Sequence, residues 1–214
     1  MNSKPLKRIV LFASGSGSNV ENIIRHFQHN DRITVTAVLT NKSNAKVLER
    51  CNNLNVSALY FNKTAFSEQG CLLDLLKGVQ PDLIVLAGFL LKIPQHIILN
   101  FPNKIINIHP ALLPKYGGKG MYGSHVHQAV KDNQEEETGI TIHYVNENYD
   151  EGAIIHQAKT AVSAQDSIED IARKVHALEM EYFPRVIERL LSSPKASPAS
   201  AEKEASPTSA KKQM

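Results

Sequence analysis

The chain has few of the features that mark secreted or membrane proteins. Its only two cysteines, Cys51 and Cys71, fall in segments predicted to be helical and have no metal-binding spacing, which is typical of free thiols in a reducing compartment. No apolar run approaches the length of a membrane span, and residues 1–8 contain no signal-peptide core. We therefore expect a cytoplasmic protein that has no membrane partner.

The chain also lacks a strong excess of charge of one sign. The formal net charge is +3, and four lysines against two glutamates in residues 192–214 account for most of it, leaving 20 basic and 19 acidic residues elsewhere. This balance does not favour a nucleic-acid partner. Fourteen of the 23 residues in 192–214 are Ala, Ser or Pro, so we predict a disordered tail after a folded domain that spans residues 1–191.

Apolar segments alternate with helical patterns over the first half of the chain. Continuous apolar runs, which indicate strands buried on both faces, occupy residues 8–13, 33–39, 57–61, 82–87 and 104–109. Helices are predicted between them and after them, near residues 20–27, 45–51, 67–77, 94–99 and 126–131. This alternation predicts an α/β fold with a doubly wound, mostly parallel sheet.

The last third of the chain follows a different pattern. Residues 139–145 and 153–160 alternate as strands on either side of an Asn, Asp and Gly-rich turn, which predicts a C-terminal antiparallel hairpin. A long terminal helix is predicted from Ser167, where Asp170 three residues later resembles a capping box. Pro184 is expected to kink this helix.

Asn107 and His109 stand at the end of the fifth predicted strand. Alternate residues of a strand share a face, so both side chains point the same way, and Pro110 ends the strand just beyond them. Open α/β sheets bind ligands at this carboxyl edge. The pattern favours a catalytic pair, although a lone histidine is also common as a hydrogen-bonded core residue.

A glycine turn follows the first strand at residues 15–19, before a helix. Free N–H groups and the helix dipole make such a turn suitable for one phosphate ester. A dinucleotide fingerprint fits less well, because Val20 replaces the third glycine and no carboxylate closes the second strand. Lys42 would suit an NADP phosphate, and a purely structural turn is a further alternative.

Two carboxylates are placed unusually. Asp150 lies in the turn of the C-terminal hairpin, which can return to the edge that carries His109, although aspartate is common in turns for its backbone hydrogen bonds. Glu179 lies on the apolar face of the terminal helix, where a buried carboxylate must be paired. An internal ion pair and a ligand contact are both open for Glu179.

Several common catalytic motifs are absent. Residues 117–120 do not have the spacing of a P-loop, and no serine or cysteine lies in a nucleophile elbow. His125 and His127 have no third metal ligand at useful spacing, so no metal is expected. If the protein is an enzyme, we expect its substrate to supply the nucleophile.

Five motifs follow one another along the chain in a recognisable order: residues 15–19, 86–89, 107–114 and 138–143, and then Asp150. Over roughly residues 8–190 the sequence resembles the phosphoribosylglycinamide formyltransferases of purine biosynthesis. The resemblance implies formyl transfer from 10-formyltetrahydrofolate to the primary amine of glycinamide ribonucleotide, by a monomer or homodimer. Methionyl-tRNA formyltransferase and formyltetrahydrofolate hydrolase are the alternatives within this chemistry, although the extra domains expected of each are not evident in the sequence.

The resemblance also implies site residues. The catalytic residues would be Asn107, His109 and Asp150. The ribonucleotide phosphate would bind Gly15, Ser16, Gly17, Ser18 and Asn19, and the ribose hydroxyls would bind Glu179. The folate pocket would be formed by Phe89, Leu90, Leu91, Lys92, Ile93, Ile140, Thr141, His143 and Val145.

The implied mechanism gives each catalytic residue a task. Asn107 and a protonated His109 would donate hydrogen bonds to the oxyanion of the tetrahedral intermediate, and Asp150 would favour the imidazolium. The sequence departs from the family pattern at Leu90–Lys92, where bacterial members often have Met-Arg. The loop after Tyr116 is also longer and richer in glycine, so either His125 or His127 takes the place of the histidine expected there.

Overall fold

The computed structural model describes residues 5–192 as one seven-stranded sheet with helices on both faces. The strands are β1 (Lys7–Phe12), β2 (Ile33–Thr40), β3 (Ala58–Tyr60), β4 (Leu83–Leu86), β5 (Ile105–His109), β6 (Glu137–Tyr144) and β7 (Ile154–Ala161). The helices are α1 (Ser18–Phe27), α2 (Lys46–Asn53), α3 (Leu72–Val79), α4 (Gln95–Asn100), α5 (Ser124–Asp132) and α6 (Ile168–Ser192).

The strand order is β3-β2-β1-β4-β5-β6-β7, in which β1 to β5 are parallel. Strand β6 runs antiparallel to β5, and β7 runs antiparallel to β6. The prediction of a doubly wound, mostly parallel sheet with a C-terminal hairpin and a long last helix is therefore confirmed. Because the chain order reverses between β1 and β4, a crevice opens at their carboxyl ends.

Strand β1 shows why the apolar runs form the centre of the sheet. Ile9, Val10, Leu11 and Phe12 are all fully buried. Ile9 and Leu11 belong to the apolar cluster on one face, which includes α1 and α6, and Val10 and Phe12 belong to the cluster on the other face, which includes α3. A strand covered on both faces needs apolar residues at every position, as the sequence has here.

Helix α6 covers the sheet beside the crevice. Its capping box is present: the Asp170 N–H donates to Ser167 Oγ at 3.0 Å, and the Ser167 N–H donates to Asp170 Oδ2 at 3.0 Å. Hydrogen bonds from Ser167 lower the pKa of Asp170 to about 2. The helix continues past Pro184 to Ser192, and the rest of the segment predicted as a tail lies outside the described residues.

The helix predicted over residues 67–77 begins later than expected, at Leu72. The preceding residues form turns, in which Asn62 Oδ1 accepts the N–H of Ala65 and the Ser67 hydroxyl donates to the Thr64 carbonyl. Such side-chain hydrogen bonds to the backbone compete with helix formation. No helix within residues 5–192 has the length and apolar character needed to cross a bilayer.

Candidate active site

A cavity of about 700 Å³ lies at the carboxyl edge of the sheet. The ends of β4 and β5 form its floor, and residues of α6 form one wall. Two loops, residues 118–123 and 146–150, close the other sides. The cavity therefore occupies the position at which open α/β sheets bind their ligands.

Asn107 and His109 both line this cavity, as their shared strand face predicts. Strand β6 pairs with β5 so that His143 stands opposite Asn107. The Asn107 side-chain amide nitrogen lies 3.2 Å from His143 Nε2 and 3.4 Å from Asp150 Oδ1. Because the Tyr144 carbonyl can only accept, His143 Nδ1 carries a proton and donates to it at 2.8 Å.

Asp150 comes from the turn between β6 and β7 and lies between two histidines. Its Oδ2 is 3.5 Å from His109 Nδ1, and its Oδ1 is 3.5 Å from His143 Nε2. The Gly118 N–H donates to Oδ2 at 3.0 Å. Burial raises the pKa of Asp150. The hydrogen bond to His143, the charge that His109 carries when protonated and the Gly118 N–H outweigh burial and hold this pKa below its usual value. The side chain is therefore a carboxylate at neutral pH.

The His109 ring faces an acceptor at each of its two nitrogens. Its Nε2 lies 2.7 Å from the Tyr116 carbonyl, which can only accept, so Nε2 carries a proton. Burial lowers the pKa of His109 more than Asp150 and the Tyr116 carbonyl raise it. The lowered pKa favours the neutral ring in the free protein at pH 7, with Nδ1 facing the carboxylate. The protonated form expected from the sequence concerns the tetrahedral intermediate and stays a prediction.

The glycine turn after β1 has unused donors. The N–H groups of Ser16, Gly17, Ser18 and Asn19 donate to no acceptor within the described part of the chain. Gly17 has φ +77°, and a Cβ built there would lie 2.5 Å from Val47 Cγ2. Arg50 Nε donates to the Ser16 carbonyl at 2.7 Å, so this oxygen of the turn already has a partner. Only Asn19 of the predicted phosphate-binding residues also lines the main cavity.

Glu179 connects this turn to the cavity. Its Oε2 accepts from Asn19 Nδ2 at 2.9 Å and lies 3.1 Å from His176 Nδ1. This hydrogen bond raises the pKa of His176. Within residues 5–192 Glu179 forms no ion pair with a lysine or arginine, so the internal ion pair considered from the sequence is not present.

The predicted folate residues divide into two groups. Phe89 to Ile93, His143 and Val145 line the cavity. Ile140 and Thr141 do not: Ile140 is fully buried in the core, and Thr141 Oγ1 donates to the Ala111 carbonyl at 2.7 Å and accepts from the Leu113 N–H at 2.9 Å. Thr141 thus supports the backbone that follows His109. A direct folate contact for any of these residues remains a prediction.

The structure adds cavity residues that the sequence did not indicate. Asn146, Asn148 and Tyr149 line the cavity beside Asp150, and their position in the same turn was the available signal. His127 also lines it, whereas His125 is exposed and stacks on Tyr122 with ring centroids 5.3 Å apart. Among residues 5–192, no group of three or more His, Cys, Asp or Glu side chains is arranged to hold a metal ion.

Comparisons with known proteins agree with this architecture. The profile of the family described as Formyl transferase matches residues 7–187. A phosphoribosylglycinamide formyltransferase from Bacillus subtilis is 35% identical over 193 residues, which cover 87% of this chain and 95% of that protein. A chloroplastic one from Vigna unguiculata is 37% identical over 192 residues, covering 86% of this chain and 61% of that protein.

Solved structures are similar as well. Glycinamide ribonucleotide transformylase 1 from Geobacillus kaustophilus superposes with a TM-score of 0.79 at 34% identity, covering 87% of this chain and 99% of that one. The protein of the same name from Symbiobacterium toebii gives a TM-score of 0.80 at 30% identity, covering 87% and 88%. The chain spans less than two thirds of its plant relatives, at 61% and 64% of their lengths, but nearly all of the Bacillus protein.

Proposed function

This chain belongs to the phosphoribosylglycinamide formyltransferase family, and from that premise we propose that it formylates the primary amine of glycinamide ribonucleotide in purine biosynthesis. The formyl donor in this proposal is 10-formyltetrahydrofolate, and the products are formylglycinamide ribonucleotide and tetrahydrofolate. The observation that carries the proposal is the cluster of Asn107, His109 and Asp150 in one cavity at the sheet edge.

Each part of the substrate pair has complementary groups in the cavity or in the glycine turn beside it. The free N–H groups at residues 16–19 suit the 5′-phosphate, which is the group that helix N-termini bind. Glu179, fixed by Asn19, is an acceptor for ribose hydroxyls. The apolar segment from Phe89 to Ile93 provides a wall for the pterin ring of the folate, with His143 nearby.

Chemistry begins when the amine attacks the formyl carbon. The carbonyl oxygen then becomes an oxyanion, for which the Asn107 side-chain amide is the donor at the end of β5. Losing one such donor typically costs about 2.7–4 kcal/mol of barrier. Contacts with His143 and Asp150 hold the amide at this position, and one of its two N–H groups exchanges its protein partner for the oxyanion when the intermediate forms.

The attacking amine must lose a proton, and N10 of the folate must gain one before it leaves. The His109 Nδ1 lone pair and the Asp150 carboxylate face each other 3.5 Å apart, so together they can take up one proton. In our proposal this pair accepts the proton of the amine and returns it to N10, directly or through water. The neutral ring of the free protein is the form that can accept it.

Neither the amine nor the folate leaving group requires a Lewis acid, so the proposed reaction uses no metal. A cytoplasmic location and a monomeric or homodimeric state remain predictions from the sequence. The division of the chain into a folded domain over residues 1–191 and a disordered tail after it is likewise a prediction from the sequence.

The change in the folate absorbance spectrum during turnover tests the proposed reaction. We expect conversion of 10-formyltetrahydrofolate only when glycinamide ribonucleotide is present, with one formylated product formed per tetrahydrofolate. Turnover without any acceptor would instead indicate the hydrolase, and dependence on charged initiator tRNA would indicate the tRNA formyltransferase. Either of these results would refute the proposal.

A further inference from the structure

His127 is a cavity residue whose hydrogen-bonding groups are unused. His127 lies on α5 and is only 7% exposed. It lines the cavity that holds Asn107 and His109. Its Nδ1 is shielded from solvent and meets no hydrogen-bond partner within residues 5–192. Buried polar atoms are nearly always paired, so this ring needs an explanation.

The surroundings of His127 are polar. Glu179 and His109 are both close enough for their charges to affect its pKa. Burial has the largest effect and lowers this pKa, so the ring is neutral at pH 7 and offers one donor and one acceptor. A neutral imidazole suits an uncharged polar group better than it suits a phosphate or a carboxylate.

The position of His127 along the bound substrate identifies that group, if the proposed function is correct. The ribose end of the site is marked by Glu179 and the reaction centre by His109, and His127 is near both. In glycinamide ribonucleotide the atoms between the ribose and the amine form a secondary amide. Asn19 also lines the cavity, and its Oδ1 is a buried acceptor without a partner within the described chain, which suits the N–H of this amide.

We infer that a ring N–H of His127 donates a hydrogen bond to the amide carbonyl of the glycinamide group. This contact orients the glycyl arm so that its amine reaches the formyl carbon. The inference rests on the proposed function and adds a substrate-binding residue to it. It also distinguishes the two histidines that the sequence left open, because His125 lies on the same helix outside the cavity.

Steady-state kinetics of His127→Phe, His127→Gln and the matched control His125→Phe test this inference. Loss of one neutral hydrogen bond predicts a roughly 2- to 10-fold higher KM for glycinamide ribonucleotide in His127→Phe. The KM for the folate should stay within about 2-fold. His127→Gln keeps an N–H donor and should recover part of the loss, and His125→Phe should resemble the wild type. An unchanged KM for the ribonucleotide in a folded His127→Phe variant would overturn the inference.

A measurement on the wild type covers the case in which the phenylalanine variant does not fold. In protein labelled with ¹⁵N-histidine, glycinamide ribonucleotide should shift the ring nitrogens of His127, whose signals are assigned from the His127→Gln spectrum. Ribose 5-phosphate, which lacks the amide, should leave them in place. Equal shifts with both compounds, or none with either, would overturn the inference. A wild type that binds and turns over no glycinamide ribonucleotide would instead refute the proposed function.

Discussion

The carboxylate of Asp150 lies 3.5 Å from Nδ1 of His109, while the other nitrogen of that ring is held by a backbone carbonyl. Two acceptors therefore face each other in the free protein, and a proton placed between them satisfies both. This relationship explains how a histidine whose pKa is lowered by burial can still take part in proton transfer. The four predictions that follow concern this pair, the glycine turn and the two thiols.

Asp150→Asn should reduce kcat by about 100-fold or more, because the amide cannot share a proton with His109. Asparagine is the suitable replacement, since Asp150 has φ +56° and asparagine tolerates this left-handed conformation. Steady-state kinetics at saturating substrates provides the measurement. Asp31→Asn, at a side chain 93% exposed, should leave kcat unchanged. A kcat of Asp150→Asn above half the wild-type value would contradict the proposed proton path.

The pH profile of kcat should have its acid limb below pH 6.5. Proton transfer needs neutral His109, whose pKa is lowered from 6.5 by burial, so activity is present above that pKa and is lost as the pH falls through it. In Asp150→Asn the carboxylate no longer raises the pKa of His109, and the limb of the residual activity should move to lower pH. An acid limb at or above pH 7 would contradict the lowered pKa of His109, and a profile in which activity is lost only as the pH rises would show that His109 acts as the imidazolium.

Gly17→Ala should weaken both the fold and the binding of the ribonucleotide. The left-handed backbone and the contact with Val47 predict a loss of about 1–3 kcal/mol in the free energy of unfolding, with a higher KM for glycinamide ribonucleotide. Gly78→Ala is the control, since Gly78 lies in α3 with open space around it and should gain about 0.5–1 kcal/mol. Denaturant unfolding measures both values. Equal stabilities for the two variants would rule out the conformational role of Gly17.

The two cysteines should react differently with a thiol reagent at pH 8. Cys71 is exposed and should react in the folded protein. Cys51 is buried, and burial raises the pKa of its thiol to about 11, so it should stay protonated and protected. The protonated Cys51 thiol stabilises the folded state fully below the pKa that Cys51 has in the unfolded chain. This stabilisation is lost as the pH rises through about 11. We expect one fast thiol in native protein and two in denaturant, and Cys71→Ser should remove the fast one.

Local patterns in the sequence were sufficient to predict most of the strands and helices. Apolar runs without alternation predicted the parallel strands, and the Ser167–Asp170 spacing predicted the cap of the last helix. Residues 67–71 were misassigned as helix because side-chain hydrogen bonds near Thr64 hold this segment in turns. These hydrogen bonds join residues three positions apart, and the spacing of apolar residues alone does not reveal them.

The site was only partly predictable from the sequence. The alternation of β5 determined that Asn107 and His109 share a face, and motif resemblance indicated Asp150 and Glu179. Tertiary structure decided which groups meet: His143 arrives opposite Asn107 through the β5–β6 register, and burial makes His109 neutral. Sequence by itself determined the elements and the chemically capable residues, because these depend on local spacing. Protonation, pairing and the choice of His127 over His125 depend on burial and on contacts between distant segments, which only the folded chain creates.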